Sequence, residues 1–394
     1  MGMHLAVVGG GVIGLSAAWS CARAGWRVTL LDPAPCSGAS WVAGGMLAPV
    51  TETWPGEEDL LELGVASVRD WASFAADLER DSGLGAGLRA EGTVVAATGS
   101  GDRAELDTLA EHLARLGRPV QRLSGRELRR LEPAIGPDVR GGLSVPDDLA
   151  VDNRTLLDAL LVACSRAGVV LERRAATAVL DDGERVTGVR CADRADRADG
   201  ADGPDVHADA VLVAAGAHSS SLHPSLDGLV RPVKGEILRL TRRAGALAPP
   251  SRTVRALVDG RPVYAVPRDA PGHGDLVVGA TTSENGFDTE VTVGGVRDLL
   301  RDAERILPGI AEYALTESAA GLRPGSRDNL PLIGATGPDG LFVATGHGRN
   351  GMLLAPVTAA AVVALVDRKP VPDVVRPADP ARFALSGATA AEGS

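Results

Sequence analysis

Three glycines near the amino terminus have the spacing of a phosphate-binding turn. Gly9, Gly11 and Gly14 follow the apolar run 5–8 and form the pattern G-x-G-x-x-G. In such a turn the first glycine permits the bend, the second lets backbone N–H groups approach a pyrophosphate, and the third lets the next helix pack against the strand. The helix N-terminus adds unsatisfied donors and partial positive charge. The predicted chemistry is binding of a dinucleotide, and this spacing alone does not distinguish NAD from FAD.

An acidic residue follows the next predicted strand. A second strand is predicted over 26–31 and ends at Asp32, where a carboxylate can accept a hydrogen bond from an adenosine ribose hydroxyl. The alternative is a glycine-rich packing turn that binds no nucleotide. The order of strand, glycines, helix, strand and acid favours the nucleotide.

Two later segments are also rich in glycine. Residues 38–45 would let the backbone approach a flat or charged group closely, although an ordinary loop is the alternative. Residues 341–354 indicate a strand, a glycine-rich turn and a helix. The N-terminus of that helix is expected near Gly351 and Met352, with positive partial charge. Because the first turn already serves a phosphate, this one is predicted to face a different electron-rich group.

Length and charge limit the class of protein. The 394 residues suggest two domains, and the net charge of −11 argues against a nucleic-acid partner. The four cysteines have no C-x-x-C spacing, so neither a metal site nor a disulfide framework is predicted, and a reducing, cytoplasmic location is expected. The uncharged stretch 5–20 and the apolar run 352–366 are too short to span a membrane.

Periodicity outlines the remaining elements. Alternating strands over 233–279 indicate an antiparallel sheet, and Ser124 with Glu127 resembles a capping box. The charged, low-complexity stretch 192–204 is interpreted as a solvated hairpin tip. Helices are predicted at 57–80, 102–116, 154–167 and 296–307.

Nine blocks in order resemble the FAD-dependent amine and amino-acid oxidases of the D-amino acid oxidase type, and most closely the glycine oxidases of thiamine biosynthesis. The resemblance covers roughly residues 3–366. The blocks are GGGVIG, SWVAGGML, VPDDLAVDN, VLVAAG, PVKGE, VYAVPR, LVVGAT, AGLRPGSRDNLPLIG and GHGRNGMLLAP.

The resemblance implies an α/β architecture in which a Rossmann-like FAD-binding domain carries a mostly antiparallel β substrate domain. The expected FAD-binding domain is discontinuous and comprises 1–85, 142–230 and 320–370. The substrate domain comprises 86–141 and 231–319, and 371–394 form a C-terminal tail. The implied reaction is oxidative deamination of a small amino acid by non-covalently bound FAD, with O2 as the electron acceptor. The expected protein is a homo-oligomer, and no metal ion, nucleic acid or membrane is expected as a partner.

The family pattern also implies which residues contact the cofactor. The segment from His347 to Leu353 should line the pyrimidine end of the flavin, where a helix dipole would stabilise negative charge. The alternative for His347 and Arg349 is a loop histidine and a solvated arginine. The predicted FAD contacts are Gly9, Gly11, Val12, Ile13, Gly14, Asp32, Pro33, Ala39, Ser40, Gly44, Gly45, Met46, Ala176, Gly216, His347, Gly348, Arg349, Asn350, Gly351, Met352 and Leu353.

Two residues are implied to be catalytic through substrate binding. Arg323 matches the arginine that holds the substrate carboxylate bidentately, and Tyr264 matches the tyrosine whose hydroxyl contacts that carboxylate. A loop-bracing salt bridge and a core tyrosine are the respective alternatives. Arg349 and Thr282 are the other predicted substrate contacts. Lys234 is interpreted as part of a structural ion pair, with Glu236 as a candidate partner, and a catalytic role is the alternative.

The chain departs from the glycine oxidase pattern at two pocket positions. Pro262 stands where a histidine is expected, and Thr282 stands where a methionine often occurs. An oxidase or dehydrogenase of the D-amino acid or sarcosine type therefore remains an alternative. A further alternative is a flavoprotein that modifies tRNA, or a binding protein without catalytic activity. Because Cys191 is the last cysteine, the covalent cysteinyl flavin of monomeric sarcosine oxidases is not expected.

Overall fold

The computed structural model describes residues 2–52, 54–192, 204–269, 272 and 274–383. The predicted hairpin tip at 192–204 lies almost entirely outside these residues, as does the end of the predicted tail from 384 onwards. The α-helices are α1 (Val12–Arg23), α2 (Ala39–Val42), α3 (Glu58–Ser82), α4 (Ser100–Arg115), α5 (Gly125–Leu131), α6 (Asn153–Arg166), α7 (Val293–Ile306) and α8 (Ala355–Val366). Short 3-10 helices lie at Gly216–Ser221, Pro224–Leu226, Pro308–Glu312, Gly348–Asn350 and Asp373–Ala378.

The strands alternate with these helices in the first part of the chain and cluster in the middle. They are β1 (His4–Val8), β2 (Arg27–Leu31), β3 (Met46–Leu47), β4 (Leu88–Arg89), β5 (Thr93–Ala97), β6 (Gln121–Ser124), β7 (Gly141–Val145), β8 (Leu149–Val151), β9 (Val170–Glu172), β10 (Ala176–Asp181), β11 (Val186–Cys191), β12 (Val206–His207), β13 (Ala210–Val213), β14 (Arg231–Thr241), β15 (Thr253–Val258), β16 (Arg261–Pro267), β17 (Leu276–Gly279), β18 (Ala314–Gly325), β19 (Leu332–Ala335) and β20 (Leu341–Thr345).

A six-stranded sheet has the order β19-β20-β13-β1-β2-β9 and is parallel except for β19. Helices α1, α3, α6 and α8 share a buried core with one face of it, while the other face packs against the small antiparallel sheet β10-β11-β12. Because β1 pairs with β2 on one side and with the much later β13 on the other, its carboxyl end is a topological switch point, where α/β sheets bind ligands.

The second large sheet has eight strands in the order β18-β14-β17-β16-β15-β5-β7-β6. All its pairings are antiparallel except that of β5 with β15. Helix α7 packs on this sheet through a separate buried core. Strand β7 crosses the expected boundary at residue 142, and β18 crosses the one at residue 320. Strand β4, from the expected substrate domain, pairs with β8 of the expected FAD-binding domain. The division into domains stays a prediction.

Several local predictions agree with the structure. Ser124 and Glu127 form the capping box at α5, because each side chain accepts a hydrogen bond from the other residue's backbone N–H. The predicted tail is folded in its first part, since Val375 and Ala378 are 1% exposed. In the described part of the chain no helix is both long and apolar enough to cross a membrane.

Candidate active site

The first glycine turn brings α1 against the ends of two strands. Gly9 has φ +109°, and a Cβ there would lie 2.4 Å from the carbonyl oxygen of Ala214 at the end of β13. A Cβ on Gly14 would lie 1.9 Å from the Gly9 carbonyl oxygen. Any side chain at either position would therefore push helix and strand apart, which is why the turn requires glycine.

The groups around this turn fit the ribose and diphosphate of a dinucleotide. Helix α1 begins without a capping side chain of its own, so its N-terminus is available to an anion. The Ser40 hydroxyl, from the next glycine-rich segment, accepts the N–H of Val12 at 3.0 Å. Asp32 is partly exposed, and its carboxylate accepts the N–H groups of Gly10 at 2.6 Å and Ala34 at 2.8 Å.

The late glycine turn differs from the prediction in its helix boundary. The regular helix α8 begins at Ala355 rather than near Gly351 and Met352. Pro356 lacks the N–H that would continue the helix to the Met352 carbonyl. The Leu353 carbonyl instead accepts the side chains of Ser67 and Trp71, at 2.6 and 2.9 Å.

This turn still offers backbone donors to an electron-rich group. The N–H groups of Met352 and Leu353 have no hydrogen-bond acceptor among the described residues, although both residues are nearly buried. Gly351 lies near Val12, so the late turn faces the start of α1. His347 is 2% exposed and bonded to Thr358 at 3.1 Å, and its burial lowers its pKa to about 3, so the imidazole is neutral.

The remaining predicted FAD contacts lie around these two turns. Gly216 has φ +57° directly after β13, and Ala176 begins β10 and packs on the core beside the ends of β1 and β2. Ala39, Gly44, Gly45 and Met46 lie in α2 and the segment after it, and Pro33 follows Asp32. Their contacts with FAD stay a prediction.

A buried amide joins that segment to the second sheet. The Asn153 side chain donates to the carbonyls of Ser40 and Trp41, and its oxygen accepts from Arg239 at 3.2 Å and Arg268 at 3.3 Å. Arg268 also donates to the Gly44 carbonyl at 2.7 Å. Burial lowers the pKa of Arg268 to about 10, which still leaves the guanidinium protonated at neutral pH.

Arg323 lies on β18 with its guanidinium over the neighbouring strand. A Cβ on Gly235 of β14 would lie 2.3 to 2.5 Å from the guanidinium atoms, so this glycine makes room for the side chain. One guanidinium nitrogen donates to the carbonyls of Thr281 at 3.2 Å and Lys234 at 3.4 Å. Among the described residues no carboxylate lies within 4.0 Å of it. The alternative of a loop-bracing salt bridge is thus not supported, and Arg323 can receive a substrate carboxylate.

Tyr264 occupies the same face of the sheet. It pairs with Gly279 of β17, and a Cβ on that glycine would lie 2.3 Å from the phenolic oxygen. A Cβ on Gly44 would meet the ring at 2.7 Å, which places the phenol between the sheet and the glycine-rich segment. Burial raises the pKa of Tyr264, with Arg323 acting in the opposite direction. The hydroxyl is therefore a proton donor at neutral pH and has no hydrogen bond to any described residue.

The segment beneath Arg323 is held by buried charges. Lys234 is 1% exposed, and its ammonium lies 2.6 Å from Asp288 and 3.9 Å from Glu236. Glu236 accepts the Thr281 hydroxyl at 3.0 Å and the Thr292 N–H at 2.7 Å. These contacts support the interpretation of Lys234 as part of an ion pair, with Asp288 as its nearer partner.

The other two predicted substrate contacts are placed differently. Thr282 is exposed, next to Thr281. Arg349 is ion-paired to Glu57 at 2.6 Å and to Glu52 at 3.7 Å, and it donates to the Glu52 carbonyl at 2.8 Å. Its guanidinium is thus already occupied by two acids, and its contact with a substrate stays a prediction.

Several polar residues at this site were not predicted from the sequence. Arg255, directly across from Tyr264 on β15, donates to the carbonyl and hydroxyl of Thr51. The Thr51 hydroxyl donates to Asp148 at 2.8 Å; burial raises the pKa of that carboxyl to about 7. The only available signal was an arginine inside the apolar alternation of β15, which surface exposure would explain equally well.

The fold and the first glycine turn are those of a dinucleotide-dependent enzyme. The sequence pattern of the FAD-dependent oxidoreductase family matches residues 4–365, and the chain belongs to that family. The cofactor is therefore FAD, and the first turn, Asp32 and the late turn are the groups that fit it.

Within this family the chain is similar to glycine oxidases. A glycine oxidase from Geobacillus kaustophilus is 33% identical over 93% of this chain and 93% of its own length. A putative thiamine biosynthesis oxidoreductase, ThiO, from Rhizobium etli is 32% identical over 91% of this chain and 95% of its own. The crystal structure of glycine oxidase from Geobacillus kaustophilus superposes with a TM-score of 0.83 and 31% identity, covering 96% of this chain and 98% of that one. The resemblance to glycine oxidases is confirmed.

Proposed function

We propose that the protein oxidatively deaminates glycine and other small primary or secondary amino acids, forming an imine that hydrolyses to the 2-oxo acid. The observation that carries this proposal is the pair of unsatisfied groups on one face of the sheet. Among the described residues the Arg323 guanidinium has no acidic partner, and the Tyr264 hydroxyl on the same sheet face has no hydrogen bond. Both groups are complementary to a carboxylate.

The chain's own residues orient the substrate and supply no strong base. Arg323 and Tyr264 would fix the carboxylate, and the raised pKa of Tyr264 keeps its phenol a donor rather than a base. The α-carbon is most easily oxidised when the substrate amine is neutral, and water can take the proton from that amine. Bound FAD would supply the hydride acceptor and, through its reoxidation by oxygen with two electrons and two protons, the route to hydrogen peroxide. The Met352 and Leu353 N–H groups, which have no acceptor among the described residues, would stabilise negative charge on the flavin.

The pathway and setting are part of the proposal. The similarity to a putative thiamine biosynthesis oxidoreductase supports a role in forming the thiazole of thiamine. The four cysteines are free and buried, which is consistent with a reducing cytoplasm. The last described segments carry no cysteine, which supports non-covalent attachment of FAD.

A D-amino acid or sarcosine type oxidase or dehydrogenase is the second candidate. Pro262 and Thr282, which replace the expected histidine and methionine, are both exposed. They do not define the largest substrate side chain that the pocket accepts. The deciding assay measures peroxide release in air by FAD-saturated enzyme with glycine, sarcosine, D-alanine and D-proline. Glycine should be turned over most efficiently. Activity confined to a bulkier or N-alkylated amino acid would favour the second candidate, and flavin reduction without peroxide would indicate a dehydrogenase.

A further inference from the structure

One acidic side chain whose charge acts on Tyr264 is mostly buried yet accepts no hydrogen bond from the residues that the structure describes. The Glu52 side chain is 11% exposed. Its two oxygens lie 3.6 Å from Arg255 and 3.7 Å from Arg349, which are ion-pair distances beyond hydrogen-bond reach. No described residue donates a hydrogen bond to this carboxylate. Because the Glu52 oxygens are still reached by solvent and accept from no described residue, they can accept a hydrogen bond from a ligand that enters the site.

Glu52 belongs to the substrate site by two routes. Arg255 lies directly opposite Tyr264 on the neighbouring strand, and side chains opposite each other on one sheet face are neighbours. Arg255 in turn contacts Glu52, whose negative charge acts on the Tyr264 phenol. Glu52 also lines a small cleft together with Asn350 and Leu353, two predicted flavin contacts.

The two ends of the site have complementary chemistry. Arg323 and Tyr264 offer donors to a carboxylate, whereas Glu52 offers an acceptor. A small amino acid carries its carboxylate and its amino group on adjacent carbons, with opposite charges when bound as the zwitterion. The flanking arginines Arg255 and Arg349 would repel an ammonium group, and Glu52 offsets these charges together with Glu57, which pairs with Arg349.

We propose that Glu52 binds the amino group of the substrate, at the opposite end from the carboxylate held by Arg323. This inference rests on the proposed function. It makes Glu52 the residue that distinguishes an amino acid from a plain carboxylic acid of the same size.

The test compares glycine with acetate, which lacks the amino group. In Glu52→Gln the shape is kept and the charge is removed, so kcat/KM for glycine should fall about 10- to 100-fold through KM, as expected for a lost charge-assisted hydrogen bond. The inhibition constant of acetate should not rise. A parallel change for glycine and acetate, or unchanged glycine kinetics, would overturn the proposal.

Glu57→Gln is the matched control. The Glu57 side chain is also 11% exposed and also pairs with Arg349, but it is hydrogen-bonded by Arg349 and by the Asn329 amide. This variant should keep the wild-type ratio of glycine to acetate affinity. Flavin content and thermal stability verify the fold of each variant. If Glu52→Gln does not fold, Glu52→Asp should shift the same ratio by a smaller factor, and an unshifted ratio refutes the assignment. Failure of the proposed function would give a different result, because none of the amino acids would then reduce the flavin of the wild-type protein. That result would overturn both the proposed function and the assignment of Glu52.

Discussion

Replacing Arg323 tests the carboxylate site with little risk to the fold. Its guanidinium donates only to the carbonyls of Thr281 and Lys234 and has no acid within 4.0 Å among the described residues, so Arg323→Ala leaves no buried carboxylate unpaired. What it removes is a bidentate, charge-assisted pair with the substrate. Two such hydrogen bonds at about 1.5–3 kcal/mol each are not fully additive, so a loss of about 3–5 kcal/mol is expected, or about 10²- to 10⁴-fold in kcat/KM.

The assay is steady-state oxidation of glycine by FAD-saturated enzyme, with flavin content measured in parallel. KM should rise steeply while bound flavin is unchanged, and Arg323→Lys should recover only part of the loss because an ammonium cannot bind bidentately. Arg327→Ala is the control, since Arg327 is exposed and donates to the Gly228 carbonyl at 3.2 Å. Unchanged glycine kinetics in Arg323→Ala would remove Arg323 from the site.

Three further outcomes are expected. Tyr264→Phe should lower kcat/KM for glycine about tenfold by removing one hydroxyl donor, and equal lowering of flavin affinity would indicate a packing role instead. Asp32→Ala should weaken FAD binding in equilibrium dialysis, because its carboxylate is the acceptor expected for the ribose; unaltered affinity would refute that role. Asp148 has a folded pKa of about 7 against 3.8 for the free group, so the folded state retains a proton that the unfolded chain releases. The contribution of Asp148 to the free energy of unfolding therefore falls as pH rises from about 4 to 7. Between pH 5 and 8 the wild-type protein should lose about 3 kcal/mol more of this free energy than Asp148→Asn, as measured by denaturant unfolding. An equal loss in the two proteins would contradict this.

The elements of the fold that are marked by short sequence motifs could be predicted. Gly9, Gly11 and Gly14 with Asp32 indicated β1, α1 and β2, and Ser124 with Glu127 indicated the start of α5. These signals are local because each arises from the backbone requirement of one turn or helix end. The late helix was misplaced, since its boundary depends on side chains from α3 that bind the Leu353 carbonyl.

The polar environment of the site was less predictable than its key residues. Arg323 and Tyr264 followed from the family resemblance, and the structure places them on one face of the sheet over glycines. Glu52, Arg255 and Asn153 were missed because their partners lie up to 297 residues away and meet only when the two sheets pack. Cytoplasmic location and self-association stay predictions.

The measurement that tests the central claim most directly is anaerobic mixing of the FAD-bound protein with glycine, followed by admission of air. Glycine should bleach the oxidised flavin spectrum, and air should restore it with release of one hydrogen peroxide per glycine consumed. A flavin that stays oxidised with glycine, sarcosine, D-alanine and D-proline alike would contradict the account.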